Sequence, residues 1–218
     1  MNIVTLVEPP VEPVTVAEVY EFLRWDAEEF DGVPPEAIYP LENTIGRHIK
    51  TARIWVEQAT RRALVMQQLR MTIGQLDKAW LTGFGRIGGW SSMRGIDLLR
   101  PPVATIDEVG YYDSNNTLQV LDPADYFLAE DYVPQLRFAY NWQTPCMYER
   151  PDAFRITYTA GYNWVDSPAD YTVAIPAPLK DAICLQVQIL ADRFDVNEKA
   201  DVMRTRDDLI SSFRVHNF

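Results

Sequence analysis

The chain is predicted to be α+β: helices near its two ends pack as a small helical body, and an antiparallel β sandwich or barrel is inserted between them. Two observations predict this. Apolar residues recur at steps of three and four from Leu41 to Ala59 and again from Pro178 to Phe194. Between 63 and 162, short alternating segments are separated by Pro101, Pro102, Pro123, Pro134 and Pro151. The expected division is an N-terminal helical part at 1–62, a β-rich domain at 63–162, a helix at 163–196 that completes the helical body, and a C-terminal arm at 197–218.

The first helix has a defined start. Thr15-Val-Ala-Glu18 is a capping box, after which Val16, Val19, Tyr20 and Leu23 share one face. Pro9, Pro10 and Pro13 hold the preceding segment extended. From Asp26 to Pro40 the chain is acidic and broken by Gly32, Pro34, Pro35 and Pro40, so a loop is expected. The second helix runs from about Leu41 to Ala59. Leu41, Ile45, Ile49, Ala52, Val56 and Ala59 form its stripe, which His48 and Trp55 widen. A stripe that broad implies burial against more than one neighbour.

The middle reads as strands. Ala63 to Ile73 alternates in part, and Met93 to Leu99 is a segment that pairs with a neighbour. Val103 to Tyr112 and Thr117 to Leu121 flank the turn-forming cluster Asp113-Ser-Asn-Asn116. Asp125 to Ala129, Gln135 to Tyr140 and Phe154 to Thr159 complete the set. The third helix opens at Pro178, a residue suited to a first turn. Leu179, Ala182, Ile183, Gln186, Val187, Leu190 and Phe194 give it one apolar face. The charged segment Asn197 to Asp208 has little pattern, so it is expected outside the core as a docking arm. Leu209, Ile210, Phe213, Val215 and Phe218 would be its apolar contacts.

Composition narrows the function classes. An apolar content of 47% with 12% aromatics excludes a disordered chain. No apolar run reaches the ~20 residues of a membrane helix, and the N-terminus carries no signal-peptide pattern, so intracellular synthesis is expected. Cys146 and Cys184 have no metal or redox spacing, and Cys184 reads as a buried thiol. The net charge of -11 argues against a protein that grips nucleic-acid phosphates. That charge is uneven. Residues 8–42 carry ten acids against Arg24 alone, whereas 43–72 carry six bases against Glu57 alone. Residues 107–131 carry seven acids and no base. Complementary acidic and basic edges follow, within one chain or between copies. Arg47, Lys50, Arg53 and Trp55 are the candidates for a subunit interface.

Chemistry-bearing motifs are weak. Gly83-Phe-Gly-Arg-Ile-Gly88 matches a dinucleotide fingerprint in letters, but Gly89, Trp90, Ser91, Ser92 and Gly95 follow where a helix must begin. No cofactor is expected. Phe84, Ile87 and Trp90 read instead as the tip of an interaction loop. His48 and His216 have no acid partner that would make a catalytic set, and a structural or interface role is expected for His48. Abundant acids with Tyr140, Trp142, Tyr148, Tyr162 and Trp164 leave one alternative, a β-rich protein that binds or hydrolyses carbohydrate.

Several segments taken in order resemble the head-tail connector (adaptor, or head-completion) proteins of tailed phages. They are Leu6–Glu18 with its prolines, Ile49–Thr60 with Ala52-Arg53 and Val56-Glu57, Leu99-Arg-Pro-Pro-Val103, Tyr111-Tyr-Asp113, Tyr158-Thr-Ala-Gly-Tyr162, and Ile175-Pro-Ala-Pro-Leu-Lys180. The chain departs from the pattern at Arg61, where a glycine often follows the threonine. Its stretches 26–40 and 83–95 are also longer. The resemblance implies a non-enzymatic virion protein at the head-tail junction, made in the host cytoplasm. It implies a ring of about twelve copies between portal and tail-side connector or stopper, with C-terminal segments engaging the portal. DNA would pass through the ring without being gripped, and no membrane is involved.

Overall fold

The computed structural model describes residues 2–24, 35–74, 95–130, 133–140, 142–162, 175–191 and 196–215. The chain divides into a sheet unit, Met1–Glu8 with Met66–Gly161, and a helical unit, Pro9–Val65 with Tyr162–Phe218.

Among the described residues the sheet unit holds eight strands: β1 (Asn2–Val7), β2 (Gln67–Ile73), β3 (Ile96–Asp97), β4 (Val103–Tyr112), β5 (Leu118–Val120), β6 (Tyr126–Ala129), β7 (Gln135–Phe138) and β8 (Phe154–Ala160). They form a five-stranded sheet ordered β1-β2-β8-β4-β5 and a three-stranded sheet ordered β3-β7-β6. All pairings are antiparallel. The alternation in β2 sets its register. Leu69, Met71 and Ile73 are buried and lie opposite Tyr158, Ile156 and Phe154, so one face is continuously apolar. Phe138 on β7 meets Phe154 on β8 edge-on at 6.1 Å, which joins the two sheets. The buried Tyr158 hydroxyl donates to the Leu99 carbonyl at 2.7 Å. Asp113 holds the β4–β5 turn by accepting from the backbone N–H groups of Asn115 and Thr117.

The helical unit holds α1 (Val16–Leu23), α2 (Pro35–Thr60), α3 (Ala177–Ala191) and α4 (Val196–Ser211). The expected capping box is present. The Glu18 N–H donates to Thr15 Oγ1, and the Thr15 N–H donates to Glu18 Oε2. α2 ends with Arg61 in the left-handed region at φ 56°. The Arg62 N–H reaches back to the Glu57 carbonyl at 3.2 Å, closing the helix as a glycine would. Val19, Ile45, Ile49, Ala52, Val56, Leu179, Ala182, Ile183, Val187 and Ile210 make the core, with Cys184 buried beside them. Burial pushes the Cys184 thiol up to about 12, which leaves it unreactive.

Three expectations change. β1 was read as part of a helical segment, but its β-branched run pairs with β2 and belongs to the sheet unit. α2 begins at Pro35, six residues before the expected Leu41. The presumed loop 26–40 therefore contributes its last six residues to a helix, and Pro35 is compatible with a first-turn position. The helix expected at 178–194 is present from Ala177 to Ala191, and 192–194 lie outside the described residues. The segment 197–208 is helical, and α4 packs on α3 instead of standing apart as an arm.

Candidate functional site

Two polar nodes fix the helical unit and decide which charged groups remain at its surface. At the first, Arg53 is 3% exposed. Its Nε donates to Glu12 Oε2 at 2.7 Å and its Nη1 to Glu57 Oε2 at 3.0 Å. Glu57 Oε1 accepts the Leu64 N–H at 2.9 Å. The Pro-rich lead, α2 and the segment after it are thus held by one charged cluster. Burial opposes the charge on Arg53, but its hydrogen bond to Glu12 and the fields of Glu57 and Glu12 outweigh it and raise its pKa.

The second node is Arg206 on α4. Its guanidinium lies 3.8 Å above the Trp55 ring of α2. Nη1 donates to Gln186 on α3, and Nε and Nη2 donate to Asp207. One side chain therefore ties three helices together. Arg62 adds a link by donating from Nε to the Phe213 carbonyl at 2.7 Å, and the Val215 N–H donates to the Thr60 carbonyl at 3.0 Å.

The predicted interface residues separate accordingly. Arg53 is buried in an ion pair within the chain, and Trp55 is half-buried under Arg206, so neither presents a free surface. Arg47 and Lys50 are exposed. They lie on the outer face of α2 with Asn43, Thr51, Ile54 and Gln58, and Ile54 is 38% exposed. The expected pairing of these bases with acids of the 8–42 segment is realised within the chain at Arg53 and Glu12. His48 is half-buried, and its Nδ1 has no hydrogen-bond partner among the described residues. Burial, and then the charge of Arg47, lower its pKa.

The predicted docking residues are mostly occupied within the fold. Ile210 and Val215 are buried, while Leu209 and Phe213 pack partly against the same core. Phe218 lies outside the described residues, as do Phe84, Ile87, Trp90 and the whole Gly83–Gly88 segment. Sequence reasoning missed Arg206 and Glu12, while Gln186 was already placed on the inward face of its helix, where it is buried. A signal was present: Val202, Arg206, Leu209, Ile210 and Phe213 follow helical spacing once the arginine is counted as part of the stripe.

Nothing among the described residues forms a metal-binding group of three or more His, Cys, Asp or Glu side chains. No described helix is long and apolar enough to cross a membrane. The described arrangement is a set of structural nodes with charged outer faces.

Comparison of the whole fold is informative. The chain shares its fold with a chain found in gene transfer agent necks. One such structure, the neck of an empty gene transfer agent particle computed with C6 symmetry, matches at a TM-score of 0.67 and 19% identity, covering 100% of this chain and 97% of the other. A chain of the virion of a native gene transfer agent particle matches at 0.67 and 21% identity, with the same coverage. The neck of the native particle computed with C12 symmetry gives 0.63 and 18%, again over 100% and 97%. No family model and no curated protein matches the chain.

Proposed function

We propose that this protein is a structural subunit of the neck of a phage-like particle, an adaptor that closes into a ring between portal and tail and leaves a passage for DNA. The observation that carries the proposal is the match over the full length of both chains to proteins in neck structures solved with sixfold and twelvefold symmetry. The connector-like segments of the sequence support the same reading independently. They enter β structure at Arg100-Pro-Pro-Val103, leave it at Tyr158–Tyr162 and open a Pro-x-x-Leu-Lys helix from Ile175, and the fold has β4 starting at Val103, β8 ending at Ala160 and α3 starting at Ala177.

The acidic balance suits such a passage. A charge of -11 on each copy, repeated around a ring, repels a phosphate backbone, so DNA slides without being held. The role is mechanical and not catalytic. Portal and tail-side stopper are the partners it requires.

Native mass measurement of the purified protein, alone and with the portal of the same particle, tests this. A closed ring in either condition is expected, with about twelve copies. A monomer in both, even at high concentration, would overturn the proposal.

A further inference from the structure

We infer that neighbouring copies join head to tail through two helix faces of opposite charge: the outer face of α2, carrying Arg47 and Lys50, and the outer face of α4, carrying Glu198, Asp201 and Asp208. The inference rests on the ring reading above and names the surfaces that close the ring.

The α2 stripe is basic because its one described acid is turned inward. Among the described side chains of the helix, Glu57 is buried with Arg53, and the outer positions Asn43, Arg47, Lys50, Thr51, Ile54 and Gln58 include no acid. Exposed Arg61 extends the stripe beyond the helix end, at the same seven-residue spacing that separates Arg47 from Ile54. Ile54 supplies an exposed apolar group at the centre of the stripe.

The α4 stripe is acidic for the complementary reason. Arg206, a base that would neutralise it, is buried against Trp55 and Gln186. Glu198, Asp201, Thr205 and Asp208 are exposed at helical spacing on the other side. Arg204 is the exposed base among them, 3.7 Å from Asp201, so the face keeps an acidic excess.

Both helices pack on α3 through their inner faces, so the two stripes are distinct outer surfaces of one unit. A ring needs this: a heterologous contact joins two different patches of the same chain, each facing a different neighbour. The choice of a second copy over another occupant follows from the charge balance. Copies with a net charge of -11 repel, so their association requires a local attraction, and the basic stripe of one chain against the acidic stripe of the next provides it.

The test is a paired charge reversal. One variant carries Arg47→Glu with Lys50→Glu, and the other carries Asp201→Lys with Asp208→Lys. Circular dichroism melts establish that each is folded; all four positions are exposed. Mass photometry or native mass spectrometry reads assembly, with portal added where the unaltered protein needs it. Each variant alone is expected to lose assembly by about tenfold or more in apparent affinity. An equal mixture should assemble again as alternating copies, and a single chain carrying all four changes should assemble with itself. Association of the unaltered protein should weaken between low and high salt.

Assembly of both single variants at unaltered strength would overturn the inference and leave the ring reading standing. Loss in each variant without recovery in the mixture would also overturn it, because the two faces would not then meet. Duplex DNA binding that disappears on Arg47→Glu with Lys50→Glu, with assembly intact, would assign the α2 stripe to nucleic acid and overturn it too. Absence of any assembly by the unaltered protein, with and without portal, would sink the ring reading and the inference together.

Discussion

Arg53 of α2 donates to Glu12 of the Pro-rich lead at 2.7 Å, across a sequence separation of 41 residues, while its other arm holds Glu57. The pair fixes the Pro-rich lead on α2 within the helical unit. Replacing Arg53 with Met is expected to destabilise the protein by about 3–5 kcal/mol, because Glu57 is left buried and charged without its partner. Adding Glu57→Gln should recover part of this loss, since the amide oxygen still accepts from the Leu64 N–H. Urea unfolding of the two variants measures both effects. A double variant weaker than Arg53→Met alone would contradict the buried-charge account.

Truncation after Asp195 distinguishes a folded last helix from a free arm. The loss of Ile210 and Val215 removes two fully buried side chains, worth about 3–6 kcal/mol together. It also removes Arg206 from Trp55 and the Val215 N–H from the Thr60 carbonyl. That sum is a large share of the ~5–15 kcal/mol by which a typical protein is stable. The shortened chain should lose its near-ultraviolet dichroism and its cooperative melt. A truncated protein that melts at a near-native temperature would show that α4 contributes little to the core.

Arg61 occupies a backbone conformation that favours glycine. Its side chain is exposed, so Arg61→Gly should relieve the left-handed strain and stabilise the protein by about 1 kcal/mol. Thermal unfolding at low protein concentration reads this free of assembly. A fall in stability would mean that the arginine makes contacts that outweigh the strain.

Asp152 gives a pH signature. It accepts from Arg150 Nε at 2.6 Å and from Arg155 Nη2 at 2.8 Å, and these hydrogen bonds hold its carboxyl at about 2, below the ordinary 3.8. A carboxylate with a depressed pKa stabilises the fold fully above the unfolded value, and the contribution is lost as pH falls through the folded value. The stability gap between the unaltered protein and Asp152→Asn should therefore be constant above about pH 5 and shrink towards pH 2. The group is near the surface, so the gap should be small and reduced by salt. A gap that widens below pH 4 would reverse the sign and refute the assignment.

Much of this fold was legible from period and punctuation. The β-strands between 63 and 162 stood out because prolines and the Asp113–Asn116 turn bounded each apolar run. The capping box at Thr15 marked α1 directly. What escaped was masked by residues with two readings. Ile3–Val7 carried a strand signal, but the prolines after it drew the segment into the helical part. Pro35 and Pro40 looked like breakers, yet α2 begins at the first and continues through the second. Arg206 and Lys199 made α4 look uniformly charged, although the arginine lies inward on an aromatic ring. The proposed assembly surface was only half visible. Sequence marked the basic stretch around 47–53, but burial alone shows that Arg53 faces inward while Arg47 and Lys50 face out.

The central claim is that this chain is a ring-forming neck subunit, and locating it in the particle tests that most directly. Electron cryo-microscopy of particles carrying a tagged copy should place the extra density in a ring of repeated subunits at the head-tail junction, between portal and tail, around an open channel. Density at the tail tip or on the capsid surface, or particles that retain an unchanged neck when the protein is deleted, would contradict the account.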